Sequence, residues 1–152
     1  MKVLTVLVPT YNVEKYLRRC LDSLLLPEVL EEIEVLVVND GSKDGSADIA
    51  RAYEKKYPQT VVFVDKENGG HGSTINVGIE KAQGTYFKVL DSDDWVNIGD
   101  FIEFVKRLKE ETADAVICDY RKEHVYNGKS EYFEYKDLED GKKYNLNEID
   151  LN

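Results

Sequence analysis

Three short, largely apolar runs constrain the fold of this chain more than anything else: Val3 to Val8, Glu34 to Val38 and Val61 to Val64, each followed by a polar turn and then a segment with helical spacing. Apolar runs of this length read as buried strands, and strands alternating with helices predict βαβ units and a mostly parallel sheet. Thr85 to Leu90 and Ala115 to Tyr120 extend the series as a fourth and fifth strand. The first helix carries Leu17, Leu21, Leu24 and Leu25 on one face, with Asn12 as its expected cap and Pro27 near its end. Ser46 is the expected cap of a second helix that runs to about Tyr57. A third spans Thr74 to Ala82 with Gly84 as its stop, and Phe101, Val105 and Leu108 mark a fourth. The expected class is therefore α/β, with helices on both faces of the sheet.

The last thirty residues have a different character. Glu123 to Tyr126 and Ser130 to Tyr135 flank Asn127-Gly128, the strongest two-residue hairpin signal. Beyond Lys136 the chain is polar and weakly patterned, the composition of a disordered end. The expected division is a core over residues 1–120 and a hairpin with polar tail over 121–152. Tyr120, Tyr126, Tyr132 and Tyr135 read as half-buried strand residues, with sugar stacking as the alternative. Cys20 in a helix and Cys118 in a strand read as two buried thiols of a reducing compartment.

A formal charge of -10 on 152 residues argues against a phosphate-tracking nucleic-acid binder, which needs a basic stripe. An anionic ligand would need a metal ion or helix ends to bind. No apolar run approaches the ~20 residues of a membrane span, and the opening MKVLTVLVP is too brief for a signal peptide, so the expected location is cytoplasmic.

Chemistry is concentrated where strands end. FKVLDSDDW, Phe87 to Trp95, stops at three carboxylates, Asp91, Asp93 and Asp94. A pair of unit charges about 4 Å apart repels by roughly 4 kcal/mol at an effective dielectric of 20, which a cation would relieve. Oxygen ligands select Mg²⁺ or Mn²⁺, completed by water and substrate phosphates. The plainer alternative is a loop whose acids cap the next helix. Pro9 to Asn12 and Asn39 to Ser46 end the first two strands, so crossovers bring all three loops to one sheet edge. There Asp40 could accept a hydrogen bond from an imide N–H, which uracil carries and cytosine lacks; NDGSKDGS also reads as an ordinary turn. ENGGHGS, Glu67 to Ser73, offers glycine amides to a ligand, with His71 near a base or phosphate, and it is neither a Walker A loop nor a GxGxxG turn. His124 reads as a structural or surface residue.

In order and spacing, VLVPTYNVEKYLRRCLDSLL, VLVVNDGSKDGS and ENGGHGSTINVGIEKAQGTYFKVLDSDDW resemble the family 2 glycosyltransferases of the GT-A fold, from about Val3 to Asp119. The resemblance implies a Rossmann-like GT-A sheet, a nucleotide-sugar donor, usually a UDP-sugar, a carbohydrate or lipid-linked acceptor, and inversion at the anomeric carbon with Mn²⁺ or Mg²⁺. It implies that Pro9, Tyr11 and Glu14 form the first nucleotide-binding segment and that Asp40 recognises uracil. It makes Asp91-Ser92-Asp93 the DXD motif, with Asp93 as metal ligand and Asp91 near the ribose, donor sugar or metal. Gly70 and His71 complete the expected donor site. Ile75 stands where many members carry Arg. The general base of the family comes from a later segment, and Asp119, Glu123 and Glu131 match no motif for it. The chain therefore reads as a donor-binding half, with peripheral membrane association left to segments outside it. The alternatives are a non-catalytic nucleotide-binding or interaction module and, because KVLDSDDW also resembles their nucleophile loop, a Mg²⁺-dependent phosphatase of the haloacid dehalogenase type.

Overall fold

The computed structural model describes residues 1–124 and 126–145. Its residues form two compact units, Met1–Glu111 and Thr112–Asn152. In the first, strands β1 (Leu4–Thr10), β2 (Ile33–Asp40), β3 (Val61–Lys66) and β4 (Tyr86–Val89) alternate with helices α1 (Leu17–Leu24), α2 (Ser46–Lys56), α3 (His71–Lys81) and α4 (Ile98–Leu108). All pairings in this sheet are parallel, in the order β3-β2-β1-β4.

Every residue of β1 and β2 is buried, which is why both read as near-continuous apolar runs. Alternation sorts them by face. Leu4, Val6 and Val8 of β1 and Ile33, Val35 and Val37 of β2 join the main core with Leu17 and Leu21 of α1, Ile49 and Tyr53 of α2, and Phe101 and Val105 of α4. Leu7, Leu36 and Val38 face the other way, under Ile75 and Val77 of α3. Helices thus cover both faces, as expected. On the α3 side Glu34 is buried and accepts hydrogen bonds from Thr5 Oγ1 (2.7 Å) and Gln83 N–H (3.0 Å). Thr5 Oγ1 in turn accepts from Gly84 N–H (2.8 Å), which ties the α3–β4 turn to the sheet.

The order 3-2-1-4 means the chain winds outward from β1 to β3 and then returns past β1 to lay down β4. Strand order reverses at β1, and in open α/β sheets the crevice beyond the carboxyl ends at such a reversal is where ligands bind.

Several expectations are corrected. Asn12 does not cap α1: its φ is 52°, its Oδ1 accepts from Lys43 N–H (2.8 Å), and the helix begins five residues later. Ser46 is the first residue of α2 rather than its cap. Its hydroxyl accepts from Val13 N–H (2.9 Å), and Asp44 Oδ1 takes the Ser46 N–H (3.0 Å). α3 starts at His71, before Thr74, because Gly70 at φ 84° turns the chain into the helix.

In the second unit, residues 115–119 form no strand, and Cys118 is exposed rather than buried. β5 (Tyr120–His124) and β6 (Lys129–Phe133) form the expected antiparallel hairpin. Tyr120, Tyr126, Tyr132 and Tyr135 are exposed, not half-buried, although Tyr120 stacks on Phe133 with centroids 4.7 Å apart. His124 Nε2 lies 2.9 Å from Glu131. Part of the expected disordered tail, residues 146–152, lies outside the described residues, as does Val125 of the hairpin.

Candidate functional site

Four loops leaving the carboxyl ends of β1 to β4 enclose a cleft of about 560 Å³. β1 and its loop supply Pro9, Thr10, Tyr11 and Val13, and β2 supplies Asp40. The β3–α3 loop supplies Asn68, Gly70 and His71, and the loop after β4 supplies Asp91 and Asp93. Register explains the convergence. Asp40 is paired with Lys66 at the ends of β2 and β3, and Val89 with Leu7, so that Asp91 follows β4 at the level where β1 ends.

Asp94 is outside the cleft lining, and of the residues that the resemblance assigns to donor or metal only Glu14 is outside it too. Its carboxylate accepts from Gly45 N–H (2.7 Å), while its own N–H donates to Asp44 (3.1 Å), and Asn12 N–H donates to Ser42 Oγ (3.0 Å). The first two loops are thereby laced together, which fixes Tyr11 at the cleft. Burial works to raise the Asp44 carboxyl, but hydrogen bonds from Ser46 and Glu14 outweigh it and hold the group below its ordinary value.

Asp40 is buried and organises the β3–α3 loop. Oδ1 accepts from Lys66 Nζ and from Gly69 N–H (2.9 Å), and Oδ2 accepts from Gly70 N–H (2.8 Å). Two glycine amides that the sequence offered to a ligand are therefore spent on this carboxylate. Burial pushes its pKa up, yet the Lys66, Gly69 and Gly70 donors together bring it below the usual carboxylate value. Asn68 Nδ2 completes the loop by donating to the Asp40 carbonyl (3.0 Å).

The acidic loop is held from the side by α1. Arg19 donates to the Asp93 carbonyl (3.4 Å), Cys20 Sγ lies 3.8 Å from the Asp91 carbonyl, and Ser23 Oγ accepts from Val96 N–H (3.2 Å). These contacts fix the backbone and leave the carboxylates of Asp91 and Asp93 without a hydrogen bond among the described residues. Burial first, then the charges of Asp93 and Asp91, push the Asp94 carboxyl above its ordinary value, against a smaller opposing effect of Arg19. Crowded, unpaired carboxylates at a cleft suit a hard cation. Among the described residues no three His, Cys, Asp or Glu side chains form a metal-holding group. The donor set fits an ion that takes one or two protein carboxylates and completes its shell from water and phosphate.

Asn68 and Arg19 lie inside the quoted segments without a role assigned to either, and Lys66 lies just before ENGGHGS. One signal was available for Lys66: a lysine two residues past one expected parallel strand, Val61 to Val64, and an aspartate two residues past its neighbour, Glu34 to Val38.

The model of the family described as "Glycosyl transferase family 2" matches residues 5–148. EpsH of Bacillus subtilis (strain 168), a protein named as a glycosyltransferase, is 41% identical over 83% of this chain and 36% of its own length. The crystal structure of S. aureus TarS 1-349 in complex with UDP-GlcNAc superimposes with a TM-score of 0.61 at 34% identity, over 72% of this chain and 32% of that one. The mannosyltransferase PcManGT from Pyrobaculum calidifontis, in complex with GDP-Man and Mn²⁺, gives 0.60 at 27% identity, over 68% and 31%. The chain thus spans about a third of the length of these relatives. Nothing among them supports the dehalogenase-type alternative. With its four-stranded parallel sheet of GT-A type and a family match over nearly its whole length, this chain belongs to glycosyl transferase family 2.

Proposed function

We propose that the cleft binds a nucleoside-diphosphate sugar, with uridine as its base, and serves an inverting glycosyl transfer completed by segments beyond this chain. The observation that carries the reading is the convergence of Asp40, from the end of β2, and Asp91 and Asp93, from the loop after β4, on one cleft of a family 2 sheet. Asp40 would take the imide N–H of the base, with Tyr11 and Pro9 beside it. Asp91 would lie toward the ribose or donor sugar. The first turn of α3, entered through Gly70 with no side-chain cap, leaves N–H groups near His71 to meet a phosphate.

A divalent cation, Mn²⁺ or Mg²⁺, fits Asp93 and Asp91 and would supply charge neutralisation at the departing diphosphate. The chain's own residues bind, orient and electrostatically shape the donor. An acceptor hydroxyl, on a glycan or a lipid-linked carbohydrate, needs a general base, which we assign to no residue here. UDP-GlcNAc in the TarS complex supports the donor class, and Mn²⁺ in the PcManGT complex supports the metal. The reading places the donor site on the cytoplasmic side, with any membrane contact made elsewhere. Among the described residues no helix is long and apolar enough to cross a membrane.

Calorimetric titration with UDP, against GDP and CDP, with and without Mn²⁺, tests the reading in the wild type and in Asp93→Ala. Metal-dependent UDP binding that Asp93→Ala abolishes is expected. A folded chain that ignores millimolar UDP in the presence of Mn²⁺ would instead be an interaction module.

A further inference from the structure

Lys66 closes β3, its side chain largely buried against Asp40. An ammonium has three N–H donors. All three are committed: to Asp40 Oδ1, to the Glu67 carbonyl (2.6 Å) and to Ser73 Oγ (2.9 Å). Its position is therefore fixed from three sides before any ligand arrives.

The consequence falls on Asp40. An ionised carboxylate offers about four lone-pair positions, two on each oxygen. Lys66 Nζ and Gly69 N–H take both on Oδ1, Ser73 Oγ standing farther off at 3.5 Å with the Gly70 carbonyl as its nearer acceptor (2.7 Å), and Gly70 N–H takes one on Oδ2. One acceptor position is left. Bases differ in how many donors they present on the edge that meets a carboxylate: uracil presents one, N3–H; guanine presents two in parallel, N1–H and the 2-amino group; cytosine presents a lone pair at N3. A fork of two free oxygens favours guanine, whereas a single free position favours uracil.

We propose that Lys66 is a specificity-determining residue of the donor site: by occupying Oδ1 of Asp40 it reduces the carboxylate from a two-point to a one-point acceptor and so selects a uracil base over guanine. This rests on the donor-site reading above. Lys66 acts through Asp40 and touches no reacting atom.

Inosine diphosphate separates the two kinds of recognition, because hypoxanthine keeps N1–H and lacks the 2-amino group. The full chain is titrated with UDP, CDP, GDP and IDP in the presence of Mn²⁺, as wild type, Lys66→Met and Lys66→Arg, each checked for folding by circular dichroism. In the wild type GDP is expected to bind no better than IDP, since one acceptor position gains nothing from a second donor, and UDP better than CDP. In Lys66→Met the one position vacated on Oδ1, beside the one Gly69 N–H still holds, gives GDP an advantage over IDP of about tenfold, the discrimination of a two-point contact. Lys66→Arg, which keeps a cationic donor, retains the wild-type ratio. An advantage of GDP over IDP in the wild type, or a folded Lys66→Met with the wild-type ratio, overturns the assignment. Should Lys66→Met not fold, the wild-type ratio alone decides. Absence of UDP binding in the wild type overturns the donor-site reading along with it; UDP binding with a GDP advantage overturns only the role of Lys66.

Discussion

Arg19 stacks on Trp95 with its Cζ 3.6 Å from the ring centroid, and from there its guanidinium reaches the carbonyl of Asp93. One α1 side chain thus grips both the end of the acidic loop and the backbone of its central carboxylate. Trp95 is the single tryptophan of the chain, so its fluorescence reports this loop alone. Mn²⁺, a paramagnetic quencher, is expected to dim that emission in the presence of UDP in the wild type and not in Asp93→Ala. Arg19→Ala should cost on the order of 1 kcal/mol, the worth of a partly exposed cation–π contact, and weaken the quenching titration. Lys at this position restores less than full affinity, since it lacks the planar face that stacks. An Arg19→Ala variant with an unchanged quenching curve would show that α1 does not position the loop.

The two cysteines should separate cleanly. Cys20 is fully buried on α1, and burial, then the charges of Asp94 and Asp93, push its thiol up to about 12. Cys118 is exposed. A disulfide reagent near neutral pH is expected to titrate one thiol rapidly in the native chain and the second only in denaturant, and Cys118→Ser should remove the fast phase. Two fast thiols would contradict the packing of α1 against the loop.

The sheet was legible because its signal is local. β1 and β2 are buried on both faces, so their sequences carry unbroken apolar runs wherever they are read. The acids after β4 and Asp40 could be singled out for the same reason, as polar residues at the abrupt ends of those runs. What stayed hidden depends on contacts across long separations. Nothing in NVEKYL shows that Asn12 will serve the loop around Lys43, 31 residues away, instead of its own helix. Nothing in ENGGHGS shows that two of its amides will be drawn to Asp40. The apolar stretch Ala115 to Tyr120 looks like a strand by composition, but residues 115–119 are exposed and β5 begins only at Tyr120.

Gly84 is required by proximity. A Cβ there would lie 2.4 Å from the Thr5 backbone nitrogen and 2.7 Å from the Leu4 carbonyl carbon, and backbone in a central strand cannot retreat. Gly84→Ala is expected to destabilise the chain by about 1–3 kcal/mol, as overpacking does, and to disturb the hydrogen bond from Gly84 N–H to Thr5. Thr5→Ser keeps that acceptor and should cost much less. Urea denaturation of both variants checks the order, and a Gly84→Ala chain as stable as wild type would mean the α3–β4 turn is looser than its contacts indicate.

The ion pair of Asp40 and Lys66 sets a pH signature. The folded-state pKa of Asp40 lies below its ordinary value of 3.8, against the upward push of burial, because Lys66, Gly69 and Gly70 donate to it. A lowered carboxyl pKa contributes stability that is present in full above the unfolded value and is lost as pH falls through the folded one. Asp40→Asn removes the charge while keeping the size of the side chain, and leaves the partly buried Lys66 without its counter-ion. At neutral pH the variant should be less stable by on the order of 3 kcal/mol, the cost of breaking a buried pair. As pH falls below 3.8 and on through the lower folded-state value, wild-type Asp40 takes up a proton and forfeits the same interaction, so the two stabilities converge. Urea midpoints measured from neutral pH down into the acid range give the comparison directly. A gap that stays constant throughout would mean that Lys66 does not hold Asp40 in its ionised form, and one-point base recognition would lose its foundation as well.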